Sequence, residues 1–268
     1  MSADKFFNAI SLLRCPVCGA EFSQSGASLK CAGGHTFDPS AKGYIHFAPN
    51  AAPSHYSRRL FEARRRILEG GFYDAVIDAI RSAMPEEPGV VLDAGCGDGT
   101  FTKRITGNTT MGIDLSKDAI RLAAHGGGPI LWAVGDLTRL PVKDASVDVL
   151  LNLFSPAHYA EFRRVLKPGG LLLKLVPQKR YLQEIRSLME DRLRNAEYSN
   201  EAVVKRLSEQ FRIVDRIPIT YVRSLTIEQA ADFLSMTPLT FDVETETLDA
   251  AALREITIDV ELLIAENQ

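Results

Sequence analysis

Near the N-terminus three cysteines and a histidine are spaced Cys15-x2-Cys18-x12-Cys31-x3-His35. Two close pairs of donors separated by a loop can wrap a tetrahedral metal, and three thiolates with one imidazole are a donor set that suits zinc. A full Cys3His set leaves no open coordination position, so the metal is expected to replace an apolar core rather than to catalyse. His46 and His55 compete for the fourth place, but neither makes a second close pair with Cys31. The fourth cysteine, Cys96, lies far away between Asp93 and Asp98. Carboxylates on both sides raise a thiol pKa, the wrong direction for a nucleophile.

The second group is Val91-Leu-Asp93-Ala-Gly95-Cys-Gly97-Asp-Gly99-Thr100. A short apolar run ending in glycines lets the chain turn sharply and lets a ligand approach bare backbone, at the strand ends where doubly wound sheets bind ligands. Asp114 follows Asp93 by 21 residues and closes the next apolar run, placed to accept hydrogen bonds from ribose hydroxyls, and Asp136 closes the third in the same way. The spacing is G-x-G-x-G with an acid ahead of it. Asp93 would repel a pyrophosphate but attract an ammonium or a sulfonium, so the expected ligand is cationic.

These residues need a scaffold, and the apolar pattern supplies one. From Gly89 onward, strand-like runs at 89–96, 110–115, 130–135, 147–154 and 171–176 alternate with helical stretches at 100–105, 116–124 and 157–166. Continuous apolar strands separated by helices predict an α/β fold with a parallel sheet covered on both faces. Runs at 211–222 and 256–265 would close one edge, giving seven strands. Before this body, helical spacing of Leu60, Phe61, Ile67 and Leu68, then of Tyr73, Val76, Ile77 and Ile80, predicts two helices split at Gly70-Gly71. Prolines at 49 and 53 mark a linker over 48–53. The expected organisation is a zinc-binding module at 1–47, linker and basic helices at 48–88, and the α/β domain at 89–268. Chelation is then expected to melt the module without directly dismantling the body.

Composition narrows the function classes. The 268 residues carry a formal charge of −3 and are 46% hydrophobic, an ordinary globular balance. No apolar run approaches the roughly 20 residues of a membrane span, since Gly169 to Val176 is broken by Lys174. Met1 to Leu13 lacks the layout of a secretory signal, so a cytoplasmic location is expected. Residues 1–72 hold nine Lys/Arg against five acids, a net +4, which leaves −7 on the remainder. A basic front on an acidic body points to an anionic partner. Arg58, Arg59, Arg64, Arg65 and Arg66 share a predicted helix, with pairs seven apart along one face, a surface suited to phosphates.

Asp93-Ala-Gly-Cys-Gly-Asp-Gly99, Gly112-Ile-Asp-Leu-Ser116, Gly135-Asp136 with Leu140-Pro141, and Leu166-Lys-Pro-Gly-Gly170 resemble the successive motifs of class I S-adenosylmethionine-dependent methyltransferases. The resemblance implies a Rossmann-like fold. Asp93 and Gly95 to Gly99 would face the methionine end of the cofactor, Asp114 its ribose and Asp136 its adenine edge. With Cys-Pro-Val-Cys at 15–18, Cys31-x3-His35-x-Phe37-Asp38, Lys42-Gly-Tyr44, Ala63-Arg-Arg65, Gly71-Phe-Tyr73 and Met236-Thr-Pro238, nearly the whole chain resembles the RlmA-type 23S rRNA (guanine-N1)-methyltransferases. That family adds Tyr73, Gly99-Thr100 and Tyr181 as cofactor contacts, with a histidine in its own pattern at the last. It also implies a hairpin of 23S rRNA as partner and a homodimer.

By the resemblance the acceptor is guanine N1, a ring nitrogen that loses its proton on attack, which calls for a base or an oxygen acceptor near the methyl group. Asn152-Leu-Phe-Ser-Pro156 stands where amino-methylating relatives carry Asn-Pro-Pro-Tyr. Asn152, Phe154 and Ser155 are the candidates for lining the acceptor site, with Phe154 stacking on the base. Alternatively, Asn152 and Ser155 only satisfy backbone groups at a strand end. Two other functions remain open on the sequence: methylation of a small molecule such as a quinone or antibiotic intermediate, and a non-catalytic zinc-dependent RNA-binding or ribosome-assembly factor.

Overall fold

The computed structural model describes residues 4–48, 57–189, 199–240 and 248–268. Most of the expected linker and His55 therefore lie outside the described residues. The chain begins with α1 (Asp4–Asn8), a three-stranded antiparallel sheet of β1 (Phe22–Ser25), β2 (Ser28–Cys31) and β3 (Thr36–Phe37), and β4 (Tyr44–His46). Two helices follow, α2 (Arg58–Glu69) and α3 (Asp74–Ala83). The body runs β5 (Val90–Ala94), β6 (Thr109–Asp114), α4 (Lys117–Ala124), β7 (Leu131–Val134), β8 (Val147–Leu153), α5 (Tyr159–Val165) and β9 (Leu166–Pro177). It ends with α6 (Gln183–Leu188), α7 (Glu201–Ser208), β10 (Arg212–Ser224), α8 (Ile227–Met236) and β11 (Glu255–Glu266).

One sheet organises the molecule, in the order β10-β11-β9-β8-β5-β6-β7-β4. Pairs from β9 through β4 are parallel, and β11 pairs antiparallel with both β9 and β10. Alternating strand residues feed two cores. Val91, Val149, Leu151 and Leu173 pack with α2, α3, α6 and α8 on one face. Leu92, Leu150 and Leu172 pack with α5 and α7 on the other. Burial on both faces is why these strands read as unbroken apolar runs.

The sheet has eight strands rather than the expected seven, because β4 adds in parallel to the outer edge of β7 through Tyr44 opposite Trp132 and His46 opposite Val134. The N-terminal segment also shares a buried core with the α/β body. Phe6, Leu13, Phe22, Leu29, Phe37, Ile45 and Phe47 belong to the same buried cluster as Leu92, Met111 and Ile113 of the sheet. A segment with too few apolar residues for its own core has borrowed one. Backbone hydrogen bonds stitch the join: Arg14 N–H to Pro141 O at 3.2 Å, Lys143 N–H to Leu12 O at 2.9 Å, and Phe47 N–H to Val134 O at 2.8 Å.

The helices begin where capping chemistry allows. Ser57 Oγ accepts from Leu60 N–H at the start of α2, and Ser116 Oγ does the same for Ala119 at α4. Between α2 and α3, Gly71 adopts φ +77°, the left-handed turn that separates the two helices as expected. The helix expected at 100–105 is only a 3-10 turn at Thr102–Arg104. Among the described residues no helix is long and apolar enough to cross a membrane.

Candidate functional site

The end of β5 turns across the end of β6. Gly95, Gly97 and Gly99 all have left-handed φ, at +89°, +56° and +75°. The Gly95 and Cys96 N–H groups both donate to Ile113 O, at 2.8 and 3.0 Å, which pins the turn to the neighbouring strand. A Cβ at Gly95 would overlap Ser155 Oγ, and one at Gly99 would lie 2.5 Å from the Trp132 ring. Trp132 is fully buried beneath the turn, with Lys103 Nζ 5.8 Å from its ring centre. Gly95→Ala is expected to cost about 2 kcal/mol of stability through strain and to weaken binding of the expected cationic ligand at least tenfold. Urea melts and calorimetry read the two effects. Gly126→Ala, at the same φ but with open space around it, isolates the strain.

Carboxylates line this turn. Asp93 is 1% exposed; its Oδ2 accepts from the Thr102 hydroxyl at 2.6 Å, and its Oδ1 has no hydrogen-bond partner. Burial, with the Asp114 charge adding to it, pushes its pKa up to about 7. Asp114 accepts from Gly97 N–H and Ser116 N–H, each at 2.8 Å, yet burial still holds its pKa above the usual range. Asp98 is buried against Thr100, whose hydroxyl it accepts at 2.9 Å, and burial raises it too. Asp136 is exposed just past β7 and accepts from Thr138 N–H at 2.8 Å. The Cys96 thiol is pushed well up, by burial first and then by Asp93, Asp114 and Asp98, as its position predicted.

Beside the turn, next to Ser155, stands an aromatic wall. The Tyr73 and Tyr181 hydroxyls are 2.6 Å apart. Phe154 stacks on Tyr181, with centroids 5.4 Å apart and planes at 24°, and meets Tyr73 edge-on at 5.9 Å. Burial raises both tyrosines, Tyr181 to about 12, so both remain protonated at neutral pH. Phe154 itself has φ +53°, a conformation that costs a non-glycine residue and survives only where neighbours enforce it.

Of the acceptor candidates, Asn152 does not line an open site. It is fully buried; its Nδ2 donates to Ala94 O and Pro156 O, each at 3.0 Å, and its Oδ1 accepts from Lys174 Nζ at 2.5 Å. Through Ala94 and Pro156 the amide links the end of β5 to the loop after β8, and Lys174 ties it to β9. Lys174, opposite Asn152 in the β8–β9 register, is a residue the sequence reading missed as a site element. Burial lowers its pKa to about 8. Its one visible signal was the break it makes in an apolar run. Ser155 is half-buried with its hydroxyl against Gly95.

Three of the five arginines expected to face phosphates hold ion pairs with acids. Arg58 bonds Glu62 at 2.8 Å, Arg65 bonds Glu69 at 2.7 Å, and Arg66 grips Asp232 of α8 through two hydrogen bonds of 2.7 and 2.5 Å. Acids four residues further along the helix take the first two, as i,i+4 spacing allows. Arg64 instead lies over the glycine turn, with Nη1 3.7 Å from where a Cβ of Gly97 would sit.

Cys15, Cys18, Cys31 and His35 come together with all ligand atoms within 4.8 Å of one another. Cys18 and Cys31 Sγ are 3.7 Å apart, and His35 Nδ1 is 3.6 Å from Cys15 Sγ and 3.4 Å from Cys31 Sγ. A tetrahedron of thiolates around zinc has edges of about 3.7 Å, so the four can hold that ion with little movement. His46 lies outside this group, on β4.

Residues 13–52 match the family model described as "RlmA, N-terminal", and residues 92–173 match the model of a methyltransferase domain. A Bacillus subtilis protein, YxjB, named provisionally as a 23S rRNA (guanine-N(1)-)-methyltransferase, is 37% identical over 95% of this chain and 96% of its own. A 23S rRNA (guanine(748)-N(1))-methyltransferase of Streptomyces fradiae is 27% identical over 94% of this chain and 96% of its own. In fold, the chain is similar to Haemonchus contortus phosphoethanolamine N-methyltransferase 2, with a TM-score of 0.51 at 15% identity, covering 80% of this chain and 58% of that one.

Proposed function

The chain belongs to the family of 23S rRNA (guanine-N1)-methyltransferases with an RlmA-type N-terminal zinc ribbon, and from that membership we propose that it moves a methyl group from S-adenosylmethionine to N1 of a guanine in 23S rRNA. The observation that carries this reading is the orphaned Asp93 carboxylate oxygen beside a bare glycine turn, in a chain whose Cys3His cluster packs into the same buried core as the large sheet. A buried carboxylate with an unused acceptor fits a cationic ligand, and positive-φ glycines leave room for it.

Bound there, S-adenosylmethionine supplies a methyl group on a sulfonium, open to in-line displacement. Asp93 and the turn from Gly95 to Gly99 would hold its amino-acid end, Asp114 its ribose hydroxyls and Asp136 the adenine edge. Thr100 braces Asp98, and Tyr73 with Tyr181 stands beside the turn. Phe154, stacked on Tyr181, gives a flat wall on which a guanine turned out of its strand can rest. Ser155 lies at the junction between that wall and the turn. Asn152 and Lys174 act at one remove, by holding the loop that presents Phe154. As the methyl group would pass from sulfur to N1, leaving the neutral thioether, the N1 proton would be lost to solvent water; the two tyrosines, kept protonated, are not its acceptors.

Cys15, Cys18, Cys31 and His35 would hold zinc, and the basic excess of the first 72 residues would meet RNA phosphates. The same reading extends to a hairpin of that RNA as substrate, a homodimer and a cytoplasmic location. The test is methyl transfer from labelled S-adenosylmethionine into 23S rRNA from cells lacking the gene, with a small-molecule extract alongside. Label in the RNA, with a new reverse-transcription stop at one guanine, is the expected result. Label only in the extract would replace the reading with small-molecule methylation, and no binding of the donor would end it.

A further inference from the structure

We infer that Arg64, on the helix before the α/β body, receives the carboxylate of the donor's amino-acid end. This rests on the methyltransferase reading and assigns one contact within it. The argument begins with charge. The donor's amino-acid end carries an ammonium, a sulfonium and a carboxylate. Asp93, Asp98 and Asp114 suit the two cations but oppose the carboxylate, so the pocket needs a fixed positive group on that side.

Among the described residues, Arg64 forms no ion pair with a carboxylate, whereas Arg58, Arg65 and Arg66 of the same helix each hold one. Its guanidinium is carried over the Phe61 ring at 5.9 Å and sits beside Gly97, where the absence of a Cβ leaves the backbone bare. Phe61 is 2% exposed and anchors that turn of α2, so the guanidinium is positioned rather than waving in solvent. Its charge reaches the whole site, favouring ionisation of Asp98 and Asp114 on one side and of Tyr73 and Tyr181 on the other. A half-buried guanidinium with its fork unpaired is the group best shaped to bind a carboxylate through two hydrogen bonds.

Two ligands separate this role from others. S-adenosylhomocysteine has the amino-acid end; 5′-methylthioadenosine keeps the adenosine and the thioether but lacks it. In calorimetry on the full-length protein, Arg64→Met is expected to weaken S-adenosylhomocysteine at least tenfold and to leave methylthioadenosine within about twofold, with Arg64→Lys in between. Circular dichroism melts check that both variants fold, and the lysine variant serves if the methionine variant does not. Equal weakening of both ligands would overturn the proposal in favour of general charge balance for Asp98 and Asp114. Unchanged binding of both, with weaker RNA binding, would overturn it in favour of a phosphate contact. If the unmodified protein binds no S-adenosylhomocysteine, the methyltransferase reading fails rather than the role of Arg64.

Discussion

Stripping the metal is expected to lower the melting temperature of the entire chain by about 10 °C or more and to weaken donor binding with it. This reverses what the sequence implied, a module that melts alone. The cause is the shared core. Phe22, Phe37 and Phe47 pack on one another with centroids 5.1 to 6.0 Å apart, within the cluster that includes Leu92 and Ile113. β4 is bonded along β7, whose last residue, Val134, accepts from Phe47 N–H and precedes Gly135-Asp136, proposed above to meet the donor's adenine edge. Apparent binding energies of structural zinc reach about 10 kcal/mol in small domains, comparable to the net stability of a whole protein. Loss of even about 4 kcal/mol shifts a chain of this size by roughly 10 °C. Calorimetric melts with and without chelator, and S-adenosylhomocysteine titrations at a temperature where both forms are folded, provide the check. Cys31→Ser should reproduce both effects. An unchanged main transition with unchanged affinity would restore the independent module.

Asp93→Ala is expected to reduce donor affinity on the order of 100-fold, the scale of a charged hydrogen bond lost in a buried site. The pH dependence is more diagnostic. Burial places the folded-state pKa of Asp93 near 7, above its unfolded value of 3.8, so between those pH values the donor-free fold holds a proton that the unfolded chain has released. This group's contribution to stability therefore falls as pH rises from about 4 to 7. Donor binding follows the opposite course, because the cationic ligand prefers the ionised carboxylate. Affinity for S-adenosylmethionine should climb with pH to about 7 and then level off, standing about tenfold below its plateau at pH 6. Asp93→Asn should bind weakly with a flat profile. A wild-type profile that is flat from pH 5 to 8 would remove Asp93 as the counter-charge.

The strands of the body were legible because burial on both faces demands continuous apolar residues, and the glycine turn because its acid and its spacing are local. The Cys3His cluster was legible for the same reason. What escaped the sequence depends on long-range register. β4 is only three residues, too short to show a period, and its place at the sheet edge is decided by Trp132 and Val134, some ninety residues away. Lys174 and Asn152 meet because β8 and β9 align them, and no spacing rule joins residues 22 apart on neighbouring strands. The ion pairs of the arginine helix were legible only in part. Glu62 and Glu69, four residues beyond Arg58 and Arg65, were visible partners, whereas Asp232 on α8 was not.

Trp132 is the chain's single tryptophan, and it is sealed between the strand bearing Tyr44 and the glycines at 99 and 112. One indole therefore touches both the metal-side edge and the donor-side turn. Its intrinsic fluorescence is a built-in gauge: blue-shifted while the edge strand stays docked, and reddened once water reaches the ring. Label-free spectroscopy can thus follow the two ends of this molecule through one chromophore.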